Sequence, residues 1–291
     1  MMQSHTSDSR VLAVAFALTL TFMIVEIIGG LVSGSLALLA DAAHMATDAA
    51  ALGLALWASW QSRIPANEVH SFGYRRHQTM AAFINGFALL LLAGWIIVEA
   101  VSRLLEPQPV MAGTMLGVAL LGLVVNLVVF AILHYGQKNI NVRAAAAHVF
   151  GDLLGSIAAI LAAIIIFLTG WVVADPLLSI LIAVLILYAG WRLLREAGHV
   201  LLEGIPPGFD QERLKSELPD AVPAILDVHH IHAWSLTPDK PFFLTMHATV
   251  DEQADADRVL HAAKAFVQAE FDIDHVTIQI ERRHCPDHEG S

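Results

Sequence analysis

LADAAHMATD, residues 39–48, sets Asp41, His44 and Asp48 inside the apolar run 36–60, and HVFGD, residues 148–152, sets His148 and Asp152 inside another, 145–170. In both runs a His precedes an Asp by four residues. At helical pitch, positions i and i+4 share one face, about 6 Å apart. Apolar runs of about 20 residues or more cross a bilayer as helices. Ionisable groups inside such helices are costly, and they face a cavity or one another. Two HxxxD helices facing each other would present two imidazole nitrogens and two carboxylates around one point, a tetrahedral set suited to zinc. One His–Asp pair is as well explained by a hydrogen bond between helices. The same spacing twice, in separate runs, favours a site for a transported cation. Permanent structural zinc fits less well, because closed structural sites are typically rich in thiolates.

The rest of the chain agrees with a membrane setting. Of its 291 residues 56% are hydrophobic and only 15% charged, against about 25% charged in soluble domains, and the mean hydropathy is +0.63. The net charge of −11 argues against nucleic acid as a partner. The apolar runs predict six spans, at 11–32, 36–60, 78–103, 112–135, 145–170 and 177–198. Ser33-Gly34-Ser35, Gln61 to Arg76, Pro107 and Pro109, Lys138 to Arg143, and Asp175-Pro176 separate them. With six spans, Arg63, Arg75, Arg76, Lys138, Arg143, Arg192 and Arg195 fall on one side and Arg103 nearly alone on the other. By the positive-inside rule both termini are cytoplasmic. Met1 to Arg10 is a short polar segment with no signal-peptide character, so the first run is expected to remain as a helix. The single cysteine, Cys285, excludes an intramolecular disulfide.

From residue 204 the composition becomes that of a soluble domain. Phe209 to Leu218 reads as a helix, Ile225 to Leu236 and Phe242 to Val250 as strands, Asp255 to Phe271 as an amphipathic helix, and Val276 to Arg282 as a last strand. The order αββαβ suits a small α+β domain with helices on one face of a short sheet. The expected layout is a cytoplasmic segment 1–10, a transport domain 11–203, an α+β regulatory and dimerisation domain 204–283, and a flexible tail 284–291. Strand alternation puts His230 and His232 on one face and His229 on the other, where His247 and Glu281 could join it around a metal.

These residues carry a resemblance to a known family. SGSLALLADAAHMATD (33–48), HSFGYRRHQ (70–78), HVFGDLLGS (148–156), HHIHAWSL (229–236) and TIQIE (277–281) resemble the cation diffusion facilitators, above all the bacterial zinc-exporting branch. The resemblance implies a homodimer of six-span protomers in the cell inner membrane, exchanging metal for protons. It also implies that His44, Asp48, His148 and Asp152 form the transport site, zinc-selective with His at position 44 and open to cadmium with Asp there. The resemblance also implies that some relatives bind a second metal in the loop between spans two and three; here His70 fits that pattern, while Tyr74 stands where a second His would be. His229, His247 and Glu281 match a cytoplasmic metal site, with Gln279 in place of a His found in some members. Zinc is thus expected both as the transported substrate and as a regulatory ligand.

Two other classes compete. An intramembrane zinc hydrolase needs a general base beside an open coordination position, yet HExxH is absent and no further His-Glu pair stands near the two motifs, so the chain is not expected to be an enzyme. A metal sensor would use the C-terminal domain but leaves the intramembrane quartet unexplained.

Overall fold

The computed structural model describes residues 3–135, 140–237, 242–273 and 275–282, with the side chains of 3–13, 134–135, 140–148, 150 and 151 outside the description. Six long helices come first: α1 (Gln3–Ser33), α2 (Leu36–Gln61), α3 (Arg76–Leu105), α4 (Ala112–Tyr135), α5 (Ile140–Thr169) and α6 (Ala174–Leu201). Five of these helices contain a stretch long and apolar enough to cross a membrane. The exception is α2, the helix that bears Asp41, His44 and Asp48. Leu31, Val98, Phe167 and Leu185 are largely exposed, an apolar surface suited to lipid rather than water.

The chain divides into two compact units, and α2, α3 and α6 have ends in both. The first unit comprises residues 1–54 and 84–193. Small residues bring its helices close together. Ala37 and Leu38 of α2 pack with Met115 and Ala119 of α4 and with Ala159, Ala162 and Ala163 of α5. A Cβ on Gly122 of α4 would fall 2.6 Å from the Phe22 ring of α1, so any larger residue there requires that ring to move. Beside it, Asn126 donates to Ser156 Oγ at 3.1 Å, joining α4 to α5.

The sharp turn between α1 and α2 uses Gly34 at φ +73°, a backbone conformation that glycine adopts without strain. The N-terminus of α2 is capped from elsewhere in the chain. Asp175, fully buried at the start of α6, accepts from Ser35 Oγ, from Leu36 N at 2.7 Å and from Ala37 N at 3.2 Å. Arg103 of α3 donates to the Gly34 carbonyl and pairs with Glu99. Asp175→Ala would leave buried N–H groups unmet, each at a cost of about 1–3 kcal/mol. The apparent melting temperature of the detergent-solubilised protein is therefore expected to fall by several degrees, roughly what a change of that size produces. An unchanged melt would show that this cap does not hold α2.

The second unit comprises residues 55–83 and 194–291. After α6 come α7 (Gln211–Ala221), β1 (Ile225–Ser235), β2 (Phe242–Val250), α8 (Ala256–Phe271) and β3 (His275–Glu281). β1 pairs with β2 antiparallel and β2 with β3 in parallel, so α8 is the crossover between parallel neighbours. Asp210 and Asp255 cap α7 and α8 through their side chains. Leu214 and Leu218 of α7 and Val259, Ala263 and Val267 of α8 share one core with Leu244, Met246, Ala248 and Val250 of β2. His247 alternates with these residues and so takes the opposite sheet face. Helix α7 runs through Pro219 to Ala221, past the expected stop at Leu218. In the last turn the proline forfeits one hydrogen bond without breaking the helix. The turn at 238–241 and the tail residues His284, Cys285 and His288 lie outside the described residues.

Candidate metal centre

On α2, His44 Nε2 and Asp48 Oδ2 stand 3.6 Å apart, and both side chains are half-buried. The four-residue spacing therefore does put the two groups on one face. Asp152, on α5, is buried. His148 lies one turn earlier in the same helix, with its side chain outside the described residues. The two helices approach closely near the site, where a Cβ on Gly155 would stand 3.8 Å from Asp41 Oδ1.

Glu26 and Asp41 stand on different helices, α1 and α2. The structure joins them. Glu26, buried on α1, lies close enough to Asp41 of α2 and Asp152 of α5 for their charges to act on it. No local sequence signal announces this approach, because it depends on how α1 and α2 are turned toward each other.

In the C-terminal sheet, His229 of β1 is paired with His247 of β2, which is itself opposite Gln279 of β3. His229 Nε2 lies 3.3 Å from Glu281 Oε2, and His247 Nδ1 lies 3.0 Å from Glu281 Oε1. Ligands of a tetrahedral zinc with bonds of about 2 Å are separated by roughly 3.3 Å, so the three side chains fit the ion. Among the described residues this is where three such groups converge. Asp227 engages His229 Nδ1 at 2.9 Å, leaving Nε2 toward Glu281, the orienting carboxylate typical of a zinc-bound imidazole. Gln279 donates to Glu281 Oε1 at 2.8 Å. Gln279 thereby holds the Glu281 carboxylate in place at the site.

His230 departs from the expected alternation. The strand register slips between His229 and His232, and His230 takes a left-handed conformation at φ +48°. This bulge swings its ring onto the His229 side, where it stacks on His247 with centroids 5.0 Å apart. At the loop position, the Tyr74 ring lies between His70, at 4.3 Å, and His77, at 5.3 Å. His77 Nδ1 is already engaged by the Tyr74 carbonyl.

Residues 12–202 match the cation efflux transmembrane domain and residues 206–283 the cation efflux protein cytoplasmic domain. The chain belongs to the cation efflux family. This cation efflux protein is 48% identical to the zinc transporter ZitB of Pectobacterium atrosepticum, over 98% of this chain and 89% of the relative. It is 46% identical to the zinc transporter ZitB of Escherichia coli, over 97% and 92%. It is also 39% identical to the cadmium, cobalt and zinc/H(+)-K(+) antiporter of Bacillus subtilis, over 94% and 89%.

The sheet site of this cation efflux protein makes a prediction of its own. His247→Ala removes a ligand and should weaken zinc binding there by more than about 100-fold. Asp227→Ala removes only the orienting partner and should cost about 10- to 100-fold. Calorimetry on the intact protein separates the two effects, and equal affinities in both variants and the parent would exclude a zinc site on this face.

Proposed function

We propose that this protein exports zinc across the bacterial inner membrane in exchange for protons, with both termini cytoplasmic. The observation that carries the proposal is the His44–Asp48 pair, 3.6 Å apart on α2 inside a cation efflux transmembrane domain. His44, Asp48, His148 and Asp152 act as the transport site and hold zinc only in passage. Mixed imidazole and carboxylate ligands suit a cargo that must leave again. Cadmium is a secondary substrate. The protein works as a homodimer and carries out no bond-breaking chemistry. Zinc at His229, His247 and Glu281 acts as a regulatory ligand, and its two His strands and Glu281 strand are the part of the sheet that zinc would tie together.

Selectivity tests the role of His44. His44→Asp replaces a borderline nitrogen ligand by a harder oxygen and adds negative charge. In sealed vesicles it is expected to raise cadmium flux relative to zinc flux several-fold, on the order of one ligand's preference. An unchanged ratio would remove His44 from the selectivity site.

A further inference from the structure

Arg63 and Arg75 play no part in the metal chemistry, and among the described residues neither forms an ion pair. Their neighbour Arg76 differs, bonding to Glu203 at 2.8 Å. Arg63 and Arg75 are exposed on the segment between α2 and α3, where they line a cavity of about 850 Å³. Ser71, Gln78 and His275 add polar groups to its wall. The wall is braced: Gln78 donates to Ser62 Oγ at 3.0 Å, and the Phe72 ring meets Phe243 edge-on at 5.2 Å. Helix α3 starts at Arg76 with no acidic residue in its first turn, so its positive end adds to the same field. In a chain of net charge −11, such a local concentration of positive charge is a selective feature.

The neighbouring surface indicates what the cavity holds. The last two turns of α2 expose Trp57 and Trp60, residues that settle at the level of lipid headgroups. Ile64, also exposed, belongs to the cavity lining. A soluble phosphate would use the two guanidinium groups but gain nothing from this apolar margin. A phospholipid would use both. We propose that this cavity binds the phosphate headgroup of an anionic phospholipid between Arg63 and Arg75, with the acyl chains running past Trp60. Two guanidinium forks match the oxygens of a phosphodiester, and basic pockets at membrane helix ends hold anionic headgroups in this way.

Native mass spectrometry of the intact protein, titrated with phosphatidylglycerol or phosphatidylcholine, tests the proposal. The parent should retain phosphatidylglycerol in preference to phosphatidylcholine. Arg63→Gln with Arg75→Gln should weaken phosphatidylglycerol binding roughly thirtyfold, since each basic group counts about fivefold for an anionic lipid. Arg192→Gln with Arg195→Gln removes the same charge from α6 and should leave it within about twofold. If the first double variant fails to fold, Arg75→Gln alone should show about a fivefold loss. Equal losses in the two double variants, or equal retention of the two lipids, would overturn the site. Inorganic phosphate displacing the lipid at comparable concentration would overturn a lipid as its occupant.

Discussion

Asp48→Ala and Asp152→Ala should each reduce zinc flux in reconstituted vesicles by more than about 100-fold, a loss larger than that for an outer-shell partner. Each substitution removes one anionic ligand from the proposed quartet. A dehydrated zinc ion left with two imidazoles and one carboxylate is short of both charge and coordination. The two variants test opposite walls, because Asp48 lies on α2 and Asp152 on α5. Asp48 is half-buried beside His44, so its removal should leave the fold intact. Asp152 is buried, and Asp152→Asn is the gentler variant if the alanine form unfolds. Elution volume and melting temperature matching the parent would show that lost flux is a loss of transport. A folded variant that carries zinc at the parent rate would remove its residue from the pathway.

Much of this protein was legible in its sequence, for an identifiable reason. Lipid requires every backbone polar group to be satisfied within the helix, so span length and apolar composition mark five of the six helices directly, and α2, which carries Asp41, His44 and Asp48, is the exception. The α2 limits differ from the expected run by a single residue, and α4 matches 112–135 at both ends. Helix α1 begins at Gln3 rather than 11, because residues 3–10 contain neither glycine nor proline and nothing stops the helix where the apolar run begins. The element order αββαβ of the C-terminal domain is legible in the same way, from strand alternation and helical periodicity. His230 was misplaced because alternation assumes an unbroken ladder, and a bulge with φ +48° breaks it.

The contacts that were not legible lie between distant segments. Asp175 reads as part of a loop beside Pro176, yet it caps α2 across 139 residues. Glu26 and Asp41 lie on different helices, yet their carboxyl groups come within electrostatic range. Such pairings depend on helix rotation and neighbour order, which local periodicity does not encode.

The second large effect concerns protons. Zinc binds neutral imidazole and ionised carboxylate, so the ion and protons compete for the same atoms. Zinc binding in detergent is therefore expected to release at least about one proton per ion near neutral pH, and fewer in His148→Asn. Affinity should fall as pH falls, because protonation removes ligands. Calorimetry in buffers of different ionisation enthalpy reads the release directly. Zero release from pH 6 to 8 would leave these groups without a part in exchange.

Zinc accumulation in everted vesicles, with and without an imposed pH gradient, tests the central claim most directly. Proton exchange through the quartet predicts accumulation driven by an acidic lumen, slowed when the gradient is collapsed and absent in Asp152→Asn. Zinc flux that is indifferent to the gradient, or undiminished in Asp152→Asn, would contradict it.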